Sequence, residues 1–502
     1  MPLELEVKIL DFCSTNSIVI MNNNDANSLG VHLYDRVKLT HKNNNLTCIL
    51  EITQTFIPAG KIGVFKNVAE KLDLKSGDKV EIDYVVKPIS TDYIKKKMEG
   101  DKLSRDEIFE IIRDMVNGSL TELEILAFVM AQNFVGVSMD EIAYLTEAMA
   151  KTGEIIDFGE PVFDKHSIGG VPGNKVTLLI VPIVAAANLL IPKTSSRSIT
   201  SPSGTADTME VLAPVEFSAE ELKKIAKKTR GTIVWGGSLN LAPADDIIIN
   251  VKRPLSIDPQ KQMMASIVAK KLAVGAKFLV IDIPMGHGVK VQTLEKANAL
   301  AKDFIELGSR VGIEIEAAIT YGSQPVGHTV GPALEAKEAL EALMGKGPTS
   351  LIEKSTGLAG ILLEMGGIAI RGKGKKIAKE ILTSGKALKK MREIIEEQGG
   401  DPNIKPDDIP IGDKSITIKS PADGYITFVD NIAISQIAKA AGAPSMKGAG
   451  IVLHGKIGYK VKEGDPLLTI YSESETKLSK AYSLVLTLKP ITVEGMILHR
   501  VK

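Results

Sequence analysis

Residues 164–211 read DKHSIGGVPGNKVTLLIVPIVAAANLLIPKTSSRSITSPSGTADTMEV, and this stretch indicates how the centre of the chain folds. Two loops rich in glycine and hydroxyl groups flank one long apolar segment. Glycines in the first loop, 165–173, let backbone N–H groups close around an anion, and the N-terminus of a following helix adds its dipole. The second loop, 194–205, places many Ser and Thr hydroxyls around Arg197. Together the two loops predict a site for phosphate groups.

Length and charge limit the class of protein. At 502 residues the chain exceeds one hydrophobic core, and we expect roughly three domains. Its 61 basic and 61 acidic side chains balance, which argues against a nucleic-acid or membrane-surface partner. Cys13 and Cys48 lie in apolar, strand-like stretches, so buried structural thiols are favoured over a disulfide or metal pair. Without a signal peptide or an apolar run of roughly 20 residues, a cytoplasmic protein is expected.

The hydrophobic pattern predicts two domains before residue 156. Alternating apolar and polar residues over 1–86 indicate a β-rich accessory domain, with asparagine runs at 22–24 and 43–45 typical of turns. Over 87–155 the pattern becomes helical, and three capping boxes mark helix starts. The boxes pair Ser104 with Glu107, Thr121 with Glu124, and Ser138 with Glu141. This second region is predicted to be a helical domain.

Residues 156–408 are predicted to form an α/β domain that binds phosphate and substrate at the carboxyl ends of its strands, although some of its helices could join the helical domain. Strand candidates are IIDF, TIVWGG, DIIINV, KFLVIDIP and IEIEAAITYG, and helices are predicted at 220–228, 259–272, 293–311 and 378–398. Residues 409–502, with β-like runs such as ITIKSPADGYITFVD and AYSLVLTLK, predict an α+β lobe. The predicted fold class is therefore multidomain α/β.

Several separated motifs resemble the thymidine and pyrimidine nucleoside phosphorylases. They are KHSIGGVPGNKVTLLIVPIVAAA, GTADTMEVL, ASIVAKKLAVGA, SGKALKKMREIIEEQGGDP, and the tail from ADGYITFVDN to VKEGDPLLTI. The resemblance covers about 88–480 and keeps the family's order. It implies a helical domain, an α/β domain and a C-terminal lobe. It also implies a homodimer or larger homo-oligomer that uses no metal and no other cofactor.

One departure from the family pattern concerns the hydroxyl-rich loop. Where the nucleoside enzymes carry GRGLGHTGGT, this chain has SSRSITSPSGT, and we infer that the added hydroxyls bind a 5′-phosphate near the ribose. This loop and the N-terminal β domain resemble the archaeal AMP phosphorylases, a branch of the family. That resemblance implies phosphorolysis of AMP in nucleotide degradation or salvage, with other nucleoside 5′-monophosphates as further candidate substrates. Inorganic phosphate is the co-substrate, and the products are free base and ribose 1,5-bisphosphate.

The two loops supply most of the candidate ligands. Lys165, Ser167 and Thr205 are the candidates for phosphate, through charge-assisted hydrogen bonds to which the Gly170 backbone adds. AMP binding is assigned to Gly170, Ser196, Arg197, Ser198, Ile199, Thr200, Ser201, Thr205, Ser266 and Lys290. From the residues alone, KHSIGG could equally be a strand-to-helix turn, and 196–201 a polar surface loop.

The base has a second set of candidates. The pyrimidine enzymes hold their base with an Arg, a Ser and a Lys, which Arg253, Ser266 and Lys270 match. The spacing from Arg253 to Ser266 is shorter than in the family. Lys290 follows the strand KFLVIDIP and could contact base or phosphate, or be solvated at the next helix.

The departure of the base calls for a general acid in the site. A departing adenine must gain a proton, most plausibly at N7, and general acid catalysis is worth roughly 10²–10⁴-fold in rate. Asp258 opens the helix that carries Ser266 and, by its position in the family, is the candidate catalytic residue. Alternatively, Asp258 is only the N-cap of that helix, with Pro259 at N1. His166 could be an acid–base residue, although a structural hydrogen bond is favoured.

Three other functions remain open at this point. A pyrimidine nucleoside phosphorylase would not need the hydroxyl-rich loop. An anthranilate-type phosphoribosyltransferase would need Mg²⁺ and a diphosphate donor, yet no acidic cluster stands near the glycine loops. A non-catalytic assembly or carrier protein is the third, because both ends of the chain are β-rich. The run GYKVKEGDPLLTI resembles the hairpin of carrier domains, but Lys447 precedes that hairpin. His287 and His328 lack metal-ligand spacing, so no metal site is predicted.

Overall fold

The computed structural model of the chain describes residues 2–12, 14, 17–198, 201–255, 257 and 259–495. The chain divides into two compact units. The first unit comprises Met1–Gly153 and Ala242–Ala269, and the second comprises Glu154–Leu241 and Lys270–Lys502. None of the described helices is long and apolar enough to cross a membrane.

The first unit begins with a closed β-barrel. Its strands are β1 (Leu3–Leu10), β2 (Ile18–Asn22), β3 (Arg36–His41), β4 (Asn44–Thr53), β5 (Lys61–Phe65) and β6 (Lys79–Val85), in the order β1-β5-β2-β4-β3-β6. Helices α1 (Asn23–Leu29) and α2 (Lys66–Leu72) cover it. The predicted turn at 22–24 is wrong, because the Asn22 side chain accepts the Asn24 N–H at 3.0 Å and starts α1. The second predicted turn does join β3 to β4, at Lys42 and Asn43.

The barrel interior contains the Cys48 side chain. Cys48 is a fully buried free thiol, as predicted, and burial raises its pKa to about 12. It belongs to a core of buried apolar residues that includes Val37 of β3 and Leu50 of the same strand. Cys13 lies outside the described residues.

Four helices follow the barrel, and their starts are set by side chains. They are α3 (Ser90–Met98), α4 (Arg105–Val116), α5 (Glu122–Phe134) and α6 (Met139–Lys151). All three predicted capping boxes are confirmed at the starts of α4, α5 and α6. Each cap hydroxyl accepts an N–H of the first turn while the glutamate accepts the N–H of the cap residue, which satisfies two otherwise unpaired donors.

The second unit begins with three strands and three helices. Its first elements are β7 (Val162–Ser167), α7 (Thr177–Ala186), β8 (Ile191–Ser195), α8 (Thr205–Met209), α9 (Ala219–Thr229) and β9 (Gly231–Trp235). Strands β8 and β9 pair in parallel. Helix α7 is apolar on every side and lies at the centre of the largest core. The predicted strand IIDF is not a strand in the structure.

The chain then returns to the first unit. Helices α10 (Pro243–Lys252) and α11 (Gln260–Ala273) follow, and the boundary between the units falls within α11. The predicted strand DIIINV is wrong, since these residues lie in α10. Pro243 at the first position and acidic residues in the first turn start that helix.

Strands β10 (Ala276–Met285) and β11 (Glu314–Tyr321) complete a parallel sheet in the order β11-β10-β7. Around it lie α12 (Leu294–Val311), β12 (Thr329–Val330), α13 (Pro332–Leu343), α14 (Thr349–Met365), α15 (Gly374–Thr383) and α16 (Lys386–Glu397). The single helix predicted at 378–398 is wrong. Gly385, with a left-handed φ of 78°, separates α15 from α16.

The C-terminal lobe is α+β. Its elements are β13 (Lys414–Lys419), β14 (Gly424–Val429), α17 (Asn431–Ala440), β15 (Gly450–Leu453), β16 (Lys460–Val461), β17 (Pro466–Ser472), α18 (Glu475–Leu488) and β18 (Ile491–Glu494). The carrier-like run GYKVKEGDPLLTI forms no hairpin, because β16 pairs with β14 whereas β17 pairs with β13 and β15. The β-like run AYSLVLTLK is helical, within α18, and buries Ala481 and Val485.

Candidate functional site

Two glycines shape the loop that follows β7. Gly169 and Gly170 have φ values of 83° and 93°, which L side chains rarely adopt. A Cβ on Gly170 would lie 3.1 Å from the backbone nitrogen of Lys290. Lys290 itself is in the loop that a bridge between Met285 and Val291 closes after β10. The structure therefore brings together two residues predicted to bind AMP.

Lys165 and Ser167 lie on one face of β7, because side chains alternate along a strand. Ser167 is in register with Asp282 of β10. The Asn174 amide donates to Ser167 Oγ at 3.1 Å, which fixes that hydroxyl near the end of the strand. Lys165 is buried, and burial lowers its pKa to about 8 although Asp282 opposes the shift.

Asp282 is the acidic centre of this face. Its carboxylate accepts the Thr320 hydroxyl at 2.6 Å and forms an ion pair with Lys354 Nζ at 3.0 Å. Burial opposes ionisation, yet Lys354 and Lys165 hold the pKa of Asp282 below its usual value. One carboxylate thus faces two lysines at the carboxyl end of the sheet. We name Lys165, Ser167, Asp282 and Lys354 the phosphate face.

The opposite side of β7 carries a second cluster, which we name the lower cluster: Asp164, Lys193, Thr194 and Lys271. Asp164 pairs with Lys271 Nζ at 2.7 Å and with Lys193 Nζ at 3.3 Å. The Thr194 carbonyl accepts from both ammonium groups, at 2.7 Å from Lys193 and 3.3 Å from Lys271. Burial opposes ionisation of Asp164, but the two lysines lower its pKa. The cluster supports the first residue of the hydroxyl-rich loop.

His166 lies on the same side of β7 as the lower cluster. Burial and the charges of Lys271, Lys193 and Lys165 hold its pKa well below the ordinary value. The imidazole is therefore neutral near pH 7. It could accept or relay a proton, but it would not enter the reaction as a cation.

Arg197 is held by carboxylates. Its guanidinium forms a two-point pair with Glu210, at 2.8 and 2.6 Å, and contacts Glu216 at 2.9 Å. It also lies over the Trp235 ring, 4.9 Å from the centroid. Lys447, the lysine that precedes the carrier-like run, pairs with Glu210 as well. A phosphate at Arg197 would have to compete with these carboxylates.

The rest of the hydroxyl-rich loop is folded tightly on itself. Asp207 accepts the N–H groups of Ser198 at 2.7 Å and Gly204 at 2.9 Å. Gly204 cannot carry a side chain without moving the loop, because its Cβ would lie 2.6 Å from the Ser196 carbonyl oxygen. Ser201 Oγ donates to the Ser203 carbonyl at 3.0 Å. Thr205 begins α8, and Ile199 and Thr200 lie outside the described residues.

The candidates for the base are on α10 and α11. Ser266 Oγ donates to Asp245 Oδ2 at 2.7 Å, and Arg253 is exposed in the 3₁₀ turn after α10. Ser266 and Lys270 are four residues apart on α11 and so share one side of the helix. Asp258, the candidate catalytic residue, lies outside the described residues.

Two surface cavities lie away from these residues. One of about 440 Å³ is lined by residues of β1 and α2 such as Ile9 and Glu70, and one of about 430 Å³ by His328, His454 and their neighbours. Within the described ranges, no three His, Cys, Asp or Glu side chains are grouped to hold a metal ion.

Sequence reasoning indicated two of the four residues of the phosphate face. It found Lys165, Ser167 and Gly170 from the glycine loop, but not Asp282 or Lys354. The signal that could have indicated these two residues is a charged side chain within a strand or helix of the α/β domain. Asp164, Asp282, Lys193 and Lys271 are buried and the Lys354 ammonium pairs with Asp282, and charged residues are rarely buried without a partner.

Comparison with known families finds three matches in chain order. Residues 91–153 match the glycosyl transferase family helical bundle domain, and 159–388 match the a/b domain of the same family. Residues 425–491 match the pyrimidine nucleoside phosphorylase C-terminal domain. The segment 159–388 contains the glycine loop, the hydroxyl-rich loop and α11.

Relatives extend the match to nearly the whole chain. Proteins named AMP phosphorylase from Thermococcus sibiricus, Pyrococcus furiosus and Methanocaldococcus jannaschii are 54%, 55% and 52% identical to it. These matches cover 99%, 98% and 99% of this chain and the same shares of the three relatives. Among solved structures, the anthranilate phosphoribosyltransferase of Thermus thermophilus matches with a TM-score of 0.53 at 19% identity. It covers 61% of this chain and 99% of that chain, a likeness of fold alone.

Proposed function

Because the chain belongs to the family of archaeal AMP phosphorylases, we propose that it cleaves AMP with inorganic phosphate to adenine and ribose 1,5-bisphosphate. A phosphate oxygen forms a bond to C1′ of the ribose as the C1′–N9 bond breaks. The electron pair of that bond leaves on adenine, which gains a proton. The observation that carries the proposal is the phosphate face, where Lys165 and Lys354 flank a single carboxylate beside the Ser167 hydroxyl.

Inorganic phosphate binds at the phosphate face in this proposal. Lys165 supplies a cation, and because burial lowers its pKa, a bound anion would favour its charged form. Ser167 supplies a hydroxyl that the Asn174 amide already orients. Charge-assisted hydrogen bonds of this kind are short and strong. They hold the nucleophile in place, and orientation of a reactant lowers the barrier by removing its freedom to move.

The nucleotide binds over the two loops. Gly170 lets the Lys290 backbone pack closely against the glycine loop, and the nucleotide is proposed to bind where these two residues meet. Residues 196–201 and Thr205 surround the ribose and its 5′-phosphate. Arg197 is a ligand of that phosphate only if the anion displaces a carboxylate such as Glu216, the more exposed of its partners.

Asp258 donates the proton to adenine, and Ser266, Lys270 and Arg253 are proposed to hold the base. We expect Asp258→Asn to lower kcat by about 10²–10⁴-fold, since that is the usual contribution of a general acid. The KM for AMP should change far less, because an asparagine fills the same space and still accepts hydrogen bonds. A kcat within about threefold of the wild type would leave Asp258 with the capping role alone.

The finer properties of the protein follow from the family resemblance. We propose a cytoplasmic homodimer or larger homo-oligomer that needs no cofactor or metal. Sedimentation of the purified chain would measure the assembly state. Turnover in the presence of EDTA would measure the metal requirement, and loss of activity in EDTA would contradict this part of the proposal.

The central experiment measures free adenine released from AMP by the wild-type protein, with and without inorganic phosphate. Adenosine in place of AMP is the control for the 5′-phosphate. We expect adenine release that depends on phosphate and is much faster from AMP than from adenosine. Equal or faster turnover of adenosine would favour a nucleoside phosphorylase, and absence of release from both would overturn the proposal.

A further inference from the structure

The lower cluster lies on the opposite side of β7 from the phosphate face, and it contains two lysines and one acid. Lys271 already pairs with Asp164 at 2.7 Å, and this single pair balances the charge of the carboxylate. Lys193 is only 4% exposed and lies within the same group, 3.3 Å from Asp164. A second buried lysine is unfavourable unless another anion comes near. A further negative group near the cluster would therefore stabilise the charged form of Lys193.

The position of the cluster points to where that group lies. Lys193 Nζ donates to the Thr194 carbonyl, and Thr194 is the first residue of the hydroxyl-rich loop. Ser195 Oγ, one residue further on, is buried and finds no hydrogen-bond partner among the described residues. Trp235, paired with Ser195 across the strands, lies under Arg197. The spare lysine and the unpartnered hydroxyl thus lie at the base of the loop proposed to receive the 5′-phosphate.

We propose that Lys193 is a positioning residue that makes the site select a nucleotide over a nucleoside. The inference rests on the proposed function. Lys193 acts from beneath the loop, through the Thr194 carbonyl and through the positive charge that its side chain carries when the 5′-phosphate is bound. The phosphate dianion supplies the negative group that the lower cluster lacks, whereas a nucleoside supplies none.

The charges around Lys193 favour such a switch. Asp164, Lys165 and His166 come from β7, and Lys271 comes from α11. Burial and the neighbouring Lys271 and Lys165 hold the pKa of Lys193 well below its ordinary value, although Asp164 opposes them. A dianion nearby would restore the proton, because an opposite charge favours the charged form.

Binding measurements on Lys193→Met test this directly. Methionine keeps the length of the side chain and removes its charge, while Lys271 remains to pair with Asp164. Dissociation constants for AMP and for adenosine are measured by calorimetry without inorganic phosphate. Lys193→Arg keeps the charge, and Lys228→Met removes an exposed lysine of α9 as the matched control.

We expect the AMP dissociation constant of Lys193→Met to rise by about 10- to 100-fold, the range for one hydrogen bond to a charged group. The constant for adenosine should stay within about threefold. Lys193→Arg should keep most of the preference for AMP, and Lys228→Met all of it. Equal weakening of AMP and adenosine would show a merely structural role and overturn the inference, as would an unchanged AMP constant.

Proton uptake gives a second test that uses the wild-type protein first. At pH 8 the phosphate of AMP is already a dianion, so any proton taken up on binding goes to the protein. Calorimetry in buffers of different ionisation enthalpy measures the number of protons taken up. We expect AMP to cause uptake that adenosine does not, and Lys193→Met to reduce it. No AMP-specific uptake would contradict the switch. Failure of the wild type to release adenine would overturn the proposed function instead, so the two failures are distinguishable.

Discussion

At Lys165, burial sets the pH range in which the phosphate face is charged. Because the pKa of Lys165 is lowered to about 8, the side chain of the free enzyme is charged below pH 8 and neutral above it. We expect kcat/KM for inorganic phosphate to fall as pH rises through about 8. Rates measured from pH 6 to pH 10 check this, with Lys165→Arg as the comparison, since arginine stays charged throughout. A flat profile for the wild type up to pH 9.5 would contradict it.

The same lysine affects folding with the opposite sign. In the unfolded chain a lysine keeps its proton to about pH 10.4. Between about pH 8 and that value the unfolded state binds more protons at this residue than the folded state does. The contribution of Lys165 to the free energy of unfolding therefore increases with pH over this window.

Gly170 offers a second prediction for a single residue. In Gly170→Ala the new methyl group would lie 3.1 Å from the Lys290 nitrogen, in a backbone conformation that disfavours it. We expect the KM for AMP to rise by about tenfold, equivalent to about 1.4 kcal/mol. Gly169→Ala is the matched control, because it carries a similar positive φ with nothing within 4 Å of its Cβ. If both variants raise KM equally, backbone strain and not contact with Lys290 explains the effect.

Sequence alone could indicate the candidates of the glycine loop because their pattern is local. Lys165, Ser167 and Gly170 stand within six positions of one another. Asp282 and Lys354 are distant along the chain and meet them only through the pairing of β7 with β10 and the packing of α14. A solitary charge in an apolar strand gives no indication of its partner.

Among the secondary-structure elements, a buried lysine joins the start of α7 to β12 and α13. Lys175 Nζ donates to the Thr329 carbonyl at 2.8 Å and to its hydroxyl at 3.0 Å, and it pairs with Glu338. We expect Lys175→Met to lower the free energy of unfolding by about 3–5 kcal/mol, because it leaves the Glu338 carboxylate buried without its partner. Urea denaturation followed by circular dichroism measures the change.

The pairing of Lys175 with Glu338 can be separated from simple packing. Adding Glu338→Leu to Lys175→Met removes the unpaired charge and should recover a large part of the lost stability. Lys375→Met, at an exposed pair with Glu353, should change stability by less than about 1 kcal/mol. Additive losses in the double variant would show that the ion pair is not the cause.

Secondary structure was predictable where caps or alternation were strong, and not where short apolar runs were ambiguous. The boxes at Ser104, Thr121 and Ser138 each start a helix because the signal lies in the cap itself. The runs DIIINV and AYSLVLTLK are rich in β-formers, yet both are helical in the structure. Tertiary packing overrides propensity in such runs, as in α18, which buries Ala481 and Val485 one turn apart.

At the scale of the whole molecule, the two units are defined by contacts between residues distant in sequence, which the hydrophobic pattern does not predict. Residues 242–269 belong with Met1–Gly153, although they interrupt the α/β sequence. The Lys261 ammonium, which donates to the Val137 carbonyl, is one of the bonds that tie them there. The candidates Arg253 and Ser266 therefore belong to the first unit, and the two loops to the second.

Within the first unit, Arg36 joins the barrel to the helices. This β3 residue is 2% exposed, donates from Nε to the Ser119 carbonyl at 2.6 Å, and pairs with Glu124 of α5. We expect Arg36→Met to lower the free energy of unfolding by about 2–3 kcal/mol, since it removes charged hydrogen bonds. Thermal denaturation measures the loss. AMP affinity should not change, and a weaker AMP complex would contradict this purely structural assignment.

The thiol sealed inside the barrel provides a natural reporter of breathing motions. Only the thiolate reacts with alkylating reagents, and at a pKa of about 12 inside a closed barrel the Cys48 sulfur has almost none available. The rate at which Cys48 is alkylated under native conditions therefore reports how often the barrel strands separate locally. Cys48 is thus a natural probe of local unfolding in the N-terminal β-barrel.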